Sequence, residues 1–155
     1  MRLTLHTDYA LRVMIYLAGN QGKLSSIGQI ARAYAISHNP LMKIVHRLVK
    51  GGLVESVRGR NGGIRLAHPA SEISVGTIVR HMEDGFEMAN CAECSIASGC
   101  GLRGLLGQAV AAFLAVLDAA SLADLNHDPD LLPGLWRLGN PERSASGAEL
   151  PARGY

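Results

Sequence analysis

Aromatic side chains are scarce in this 155-residue chain, which contains two Phe, four Tyr and one Trp, so its core must consist mainly of Leu, Ile, Val and Ala. Charged residues make up only 18% and hydrophobic residues 48%, a balance typical of a globular protein. No uncharged apolar run reaches the roughly 18 residues of a membrane-spanning helix, so we expect no transmembrane segment. The N-terminus lacks the apolar run of a signal peptide, and we therefore expect a cytoplasmic protein.

Recognisable catalytic motifs are also missing from the chain. The sequence contains neither a nucleophile with a matching base nor a glycine-rich phosphate loop, which predicts a protein that is not an enzyme. No internal repeat is present. The length suits one domain with a sizeable core, or one domain extended by a dimerisation arm.

Charge is divided unevenly between the two halves of the chain, although the net charge is only +2. Residues 1–70 contain ten Lys or Arg and two acidic side chains, a net of +8. Residues 71–155 contain five Arg and eleven acidic side chains, a net of −6. This asymmetry favours a surface for a polyanion in the first half; the alternative is chance clustering of solvated charges.

Apolar periodicity and turn residues predict the order of the elements. Three helices come first: one from about Asp8 to Ala18 with Thr7 as its N-cap, one capped by Ser25 or Ser26, and one ending near Lys50. A hairpin with strands at 53–57 and 64–66 follows, then a helix capped by Ser74, a cysteine loop, and a long helix that starts at Leu102.

This order predicts a mostly α fold with a small β-hairpin wing, in which a winged helix-turn-helix is followed by a long dimerisation helix. The glycine-rich turn of the hairpin would form the tip of the wing. We predict four regions: the winged helix-turn-helix domain at 1–70, a connecting helix and cysteine loop at 71–101, the dimerisation helix at 102–125 and a largely disordered tail at 126–155.

The third helix is the candidate DNA-reading element, because its apolar stripe leaves a polar face free. A reading helix places its N-terminal side chains at base edges in the major groove, and here those are Ser37, His38 and Asn39. Lys43 and Arg47 follow on the same face and would reach bases or phosphates. Lys50, near the end of the helix, would bind phosphate.

The wing tip holds two cations, Arg58 and Arg60, between glycines that allow the backbone to approach a duplex closely. Arginine in a narrow minor groove reads groove width, and each cation that meets a phosphate adds salt-dependent affinity. The alternative is that the glycines only close the hairpin and the cations are solvated.

All three cysteines, Cys91, Cys94 and Cys100, lie within ten residues in the pattern C-x2-C-x5-C. In a cytosolic protein such clustering favours metal or redox chemistry over a structural disulfide. Zinc and an iron–sulfur cluster both suit the spacing, and three unrelated thiols remain an alternative. A CxxC redox enzyme is weaker, since no βαβ unit surrounds the motif. Three thiolates leave a fourth ligand missing, and a site with one weak ligand suits sensing.

Five segments resemble the IscR/NsrR repressor family, and more closely its NsrR branch of nitric-oxide-sensing repressors. They are residues 3–12, 37–45, 57–66, 76–83 and 121–125. The resemblance covers about residues 1–125, and the tail has no part in it. It implies a homodimeric, DNA-binding repressor that recognises an inverted-repeat operator.

The resemblance also implies an iron–sulfur cluster, commonly 4Fe–4S, held by Cys91, Cys94 and Cys100, with nitric oxide as the signal. Some members of the NsrR branch take a fourth ligand from an acidic residue near the start of the other subunit, and Asp8 matches that position. IscR-like members instead sense cluster supply and carry a histidine three residues after the last cysteine, where this chain has Arg103. A zinc-stabilised DNA-binding module without a sensory role is a third reading. The two-residue gap between the first cysteines is shorter than in the family.

Overall fold

The computed structural model describes residues 2–91, 93–96, 99–125 and Gly134, and in these residues five α-helices and one hairpin follow one another. The helices are α1 (Leu5–Ala18), α2 (Ile27–Tyr34), α3 (His38–Lys50), α4 (Val75–Met82) and α5 (Leu102–Ala119). The strands are β1 (Val54–Val57) and β2 (Gly63–Leu66), and short 3-10 turns lie at Ala70–Glu72 and Ala123–Leu125. The predicted mostly α fold with a hairpin wing is confirmed, whereas the tail predicted at 126–155 lies, apart from Gly134, outside the described residues.

The start of α1 was predicted wrongly, since Thr4 and not Thr7 is its N-cap. The Thr4 hydroxyl accepts a hydrogen bond from the Thr7 N–H at 3.3 Å, and Thr7 itself is buried inside the first turn. Glu83 stabilises this start, because its Oε1 accepts from the Thr4 N–H at 2.7 Å and from the Thr4 hydroxyl at 3.0 Å. Local sequence could not reveal a partner 79 residues away.

The helix-turn-helix forms where α2 and α3 pack on α1. Ser26 begins α2 with a capping box, in which its hydroxyl accepts from the Gln29 N–H while the Gln29 side chain accepts from the Ser26 N–H. Ala35 ends α2 in the left-handed conformation, with φ +52°. The apolar stripes then bury a largely aliphatic core, as its composition predicts: Ala10, Val13, Met14, Leu17, Ile30, Leu41, Ile44 and Leu48.

The wing is an antiparallel pair in which Val54 faces Leu66 and Val57 faces Gly63. Strand β2 is fixed to the segment before α2, because Ser25 and Ile64 exchange both backbone hydrogen bonds, at 2.9 and 2.8 Å. The tip of the wing turns tightly, and a Cβ at Gly62 would overlap the carbonyl oxygen of Val57. The tip is therefore held in one shape by the backbone.

We expect Gly62→Ala to destabilise the protein by about 1–3 kcal/mol, because backbone must move to admit the methyl group. Equilibrium unfolding in urea measures the change. Gly28→Ala is the matched control, since its Cβ would lie at an ordinary 3.7 Å from the nearest side-chain atom and alanine favours a helix. Equal unfolding free energies for the two variants would contradict the tight turn.

The long helix α5 is joined to the rest of the protein at its C-terminal end. Backbone N–H groups of Val75 and Leu122 donate to the carbonyls of Ala120 and Ile73 at 2.9 and 2.8 Å. Arg80 of α4 forms a bidentate ion pair with Asp118, and its hydrogen bonds hold the pKa of Asp118 below the ordinary value. No residue of α5 is buried in the single chain.

By length and composition alone, α5 is long and apolar enough to cross a membrane, although the sequence contains no uncharged apolar run of that length. The charged residues Arg103 and Asp118 interrupt that run near the two ends of α5. One such helix is weak evidence for a membrane span, and its last turn is bound to α4. Leu102, Leu105 and Val116 are nevertheless exposed, so α5 presents an apolar surface that a partner would cover.

Candidate DNA interface and cysteine loop

The outer face of α3 is polar and exposed along its whole length. Ser37, the N-cap, makes no capping hydrogen bond with its side chain, so its hydroxyl is free of the helix end. The exposed side chains on the helix are His38, Asn39, Met42, Lys43, His46 and Lys50. This is the surface that the helical periodicity predicts, and it has the shape and polarity of a DNA-reading helix.

Two groups of cations accompany this face. Lys43 and Lys50 are exposed on α3, and Arg58 and Arg60 are exposed at the wing tip beside Gly59, whose φ is +116°. In the part of the chain that the structure describes, none of these four cations forms an ion pair with a carboxylate. Unpaired cations on a helix and an adjoining wing suit contact with phosphates.

Arg47 differs from the other predicted DNA contacts, because its side chain turns toward the end of α4. Its Nη2 lies 2.8 Å from Oδ1 of Asp84, and its Nε donates to the carbonyl oxygen of His81 at 3.1 Å. Periodicity placed Arg47 on the polar face but could not show partners 34 and 37 residues away. Met42 was missed, although it lies three residues after Asn39 and so shares its face.

The cysteine loop follows α4 and precedes α5. Its thiols are free: Cys94 is exposed, and Cys91 and Cys100 are half-buried. Residues 92, 97 and 98 lie outside the described part. Among the described residues, no three His, Cys, Asp or Glu side chains lie close enough to hold a metal ion. The donor chemistry fits an iron–sulfur cluster, because three thiols occur in one short accessible loop, but the single chain does not gather the ligands.

Asp8 lies on α1, where the structure pairs it with Arg12. The Arg12 Nε is 3.2 and 3.1 Å from the two Asp8 oxygens, and the Asp8 side chain remains 43% exposed. The Arg12 guanidinium also lies over the Tyr34 ring, 5.9 Å from its centre. Burial raises the pKa of Tyr34 to about 12. Asp8 is therefore accessible to a second subunit and is linked through one cation to the end of α2.

A cavity of about 340 Å³ adjoins Cys91, between the segment that leads to the cysteines and the first half of α5. Its side chains are mostly apolar, with Arg103 and Glu87 as the charged members. The cavity therefore lies directly beside one of the three cysteines.

The Glu83 carboxylate gives a pH test of the contact between α1 and α4. Burial raises the pKa of Glu83, but hydrogen bonds from Thr7 and Thr4 together lower it by more than burial raises it. The pKa of Glu83 therefore lies below the ordinary value. A carboxylate with a lowered pKa stabilises the folded state above its unfolded-state pKa, and this stabilisation is lost as pH falls through the folded-state pKa. We expect Glu83→Gln to lower the free energy of unfolding in urea at pH 7. Below pH 4 the free energies of unfolding of the variant and the unchanged protein should become more similar. A difference that stays constant across this range would contradict the assignment.

The helix-turn-helix, its polar α3 and its cationic wing together define a winged-helix DNA-binding protein. The chain belongs to the Rrf2 family, whose model, described as an iron-dependent transcriptional regulator, matches residues 3–128. The chain is 48% identical over 131 residues to the HTH-type transcriptional regulator NsrR of Bacillus subtilis strain 168. The aligned residues make up 81% of this chain and 90% of that protein.

Solved structures agree with the family. CymR, the global cysteine regulator of B. subtilis, has a TM-score of 0.67 and 30% identity over 81% of this chain and 95% of its own. IscR of T. potens has a TM-score of 0.68 and 26% identity over 100% of this chain and 95% of its own. This chain is a DNA-binding transcriptional regulator, and its relatives are regulators and not enzymes, as the sequence predicts.

Proposed function

We propose that the protein is a cytoplasmic, homodimeric repressor whose affinity for its operator is controlled by an iron–sulfur cluster that reacts with nitric oxide. The observation that carries this proposal is the group of three free thiols in a ten-residue loop. The loop follows α4, which contacts both α1 and α3, so a change in the loop acts on the DNA-binding domain. The similarity to proteins named NsrR supports nitric oxide as the signal.

The apolar face of α5 supports the homodimer. Leu102, Leu105 and Val116 are 50%, 62% and 71% exposed, and a second copy of α5 would bury them across a two-fold axis. Such a dimer presents two α3 helices about one DNA turn apart, which requires an inverted-repeat operator. The proposed DNA contacts are Ser37, His38, Asn39, Lys43 and Lys50 on α3, and Arg58 and Arg60 on the wing.

Cys91, Cys94 and Cys100 would hold the cluster, with the partner subunit's Asp8 as the fourth ligand. The cluster would supply iron atoms that bind nitric oxide. One carboxylate oxygen of Asp8 would suffice for the ligand role, which would join α1 of one subunit to the loop of the other. When the cysteines no longer hold the cluster, this link is absent and the two α3 helices lose their fixed spacing.

Purification without oxygen, followed by analysis of iron, sulfide and zinc and by an absorption spectrum, tests the cofactor. We expect iron and sulfide in similar amounts and little zinc. Zinc without iron would overturn the proposal and leave a metal-stabilised DNA-binding module. Brief exposure to nitric oxide then distinguishes a nitric-oxide-sensing repressor from a regulator that senses only cluster supply, because the second would keep its operator affinity.

An Asp8→Ala variant tests the fourth ligand. We expect a three-cysteine cluster whose absorption spectrum and sensitivity to oxygen differ from those of the unchanged protein. Arg12→Gln is the control, since it removes the pairing partner of Asp8 and leaves the carboxylate available. A spectrum that Asp8→Ala does not change would exclude Asp8 from the site.

A further inference from the structure

We propose that Arg47 is a positioning residue, which fixes the DNA-reading helix against the end of α4 and does not itself neutralise a phosphate. Through this contact it also passes the state of the cysteine loop to α3, a part of the inference that rests on the proposed function. Arg47, His81 and Asp84 are named here the α3–α4 clasp.

Reciprocal contacts form the clasp. Arg47 donates from Nε to the His81 carbonyl oxygen at 3.1 Å, and His81 Nε2 lies 2.7 Å from the Arg47 carbonyl oxygen, to which it donates. The Arg47 Nη2 completes the clasp at 2.8 Å from Asp84 Oδ1. Two of the five guanidinium N–H groups, one on Nε and one on Nη2, are thus directed at α4 and Asp84, and the charge of Arg47 is already paired with a carboxylate.

Gly51 makes this close approach of α3 and α4 feasible. A Cβ at Gly51 would lie 2.5 Å from Cε1 and Nε2 of His81, so any side chain there would displace the ring. The imidazole reaches the end of α3 only because that position is glycine. The absence of a side chain at Gly51 therefore allows the contact between α3 and α4.

The clasp lies where the DNA-binding domain meets the segment that leads to the cysteines. Asp84 follows Glu83, which holds the start of α1 through Thr4. From Phe86 the chain runs along the cavity to Cys91. A displacement of this segment pulls on Asp84 first, and Asp84 acts on α3 through Arg47.

The clasp adds little to stability, because the Asp84 side chain is 93% exposed and an exposed ion pair contributes weakly. Its effect is on the orientation of α3. Asp84→Asn removes a negative charge near the DNA-binding surface, which by charge alone would strengthen DNA binding. The clasp predicts the opposite sign, and this difference makes the variant informative.

Operator affinity measured over a range of salt concentrations tests the inference with Arg47→Gln, Asp84→Asn and the double variant. We expect each single variant to weaken operator binding about two- to five-fold. We expect the double variant to bind no more weakly than Arg47→Gln alone, since the contact that Asp84→Asn disturbs is already absent when Arg47 is replaced. The slope of log affinity against log salt should stay unchanged.

Lys50→Gln is the control on the same helix and should reduce the salt slope by about one. Arg47 would be a phosphate contact, and the inference wrong, if Arg47→Gln reduced the slope by the same amount while Asp84→Asn left affinity unchanged or raised it.

The ratio of operator affinities between cluster-loaded and cluster-free protein tests the second part. Arg47→Gln and Asp84→Asn should both narrow this ratio, whereas Lys50→Gln should preserve it. An unchanged ratio in the clasp variants would overturn transmission through Arg47. If the cluster-loaded and cluster-free forms of the unchanged protein bind the operator equally well, the proposed function is wrong, and so is transmission of the loop state through Arg47. The dependence of affinity on salt would still decide whether Arg47 positions α3.

Discussion

A Cys94→Ser variant purified without oxygen is expected to lose most of its iron and acid-labile sulfide, together with any response of operator binding to nitric oxide. A serine hydroxyl is a much weaker ligand of iron than a thiolate, because it is hardly ionised at neutral pH, and only two loop thiols would remain. Cys94 is the exposed member of the three, so its replacement changes the site and leaves the core untouched. Iron and sulfide analysis and the absorption spectrum measure the loss.

Ser95→Ala is the matched control for this variant, because Ser95 is its exposed neighbour and is not a proposed ligand. Both variants should unfold in urea at the midpoint of the unchanged cluster-free protein. Retention of iron and sulfide by Cys94→Ser in the amounts of the control would show that this cysteine is not a ligand. The short gap between Cys91 and Cys94 makes this the most informative of the three replacements.

Replacement of both wing arginines, Arg58→Gln with Arg60→Gln, is expected to weaken operator binding and to reduce the slope of log affinity against log salt by about two. Both side chains are exposed at a backbone-constrained tip, and neither pairs with a carboxylate in the described residues. Titration of labelled operator DNA at several salt concentrations measures the slope.

Arg65→Gln is the control from the same wing. Arg65 faces Glu55 across the hairpin, and its Nη2 lies 2.9 Å from Glu55 Oε2, so its charge is already partly neutralised. We expect a clearly smaller change of slope for this variant. If the control reduced the slope as much as a tip arginine does, the wing tip would have no special part in binding.

The sequence was sufficient for those parts of the fold that local patterns determine. The apolar stripe of α3 and the glycine-rich turn of the wing need only residues close along the chain, and the structure has both. The start of α1 and the orientation of Arg47 depend on Glu83 and Asp84, which are distant in sequence. No periodicity carries that information, because an ion pair across the fold requires only that two suitable side chains meet.

The candidate site also has a part that local sequence predicts and a part that it does not. The spacing of the cysteines marks them as a group, since all three lie within ten residues of one another. Their proposed assembly with Asp8 would involve a second subunit, and neither spacing nor a single chain determines it. The pairing of Asp8 with Arg12 bears on a ligand role for Asp8, because Arg12 contacts both carboxylate oxygens in the single chain.

The most direct test of the central proposal is the affinity of cluster-loaded protein for an inverted-repeat operator, measured without oxygen before and after addition of nitric oxide. The account predicts tight binding before the addition and a marked loss after it, with no such change in Cys94→Ser. Equal affinities before and after nitric oxide, in protein shown to contain the cluster, would contradict it.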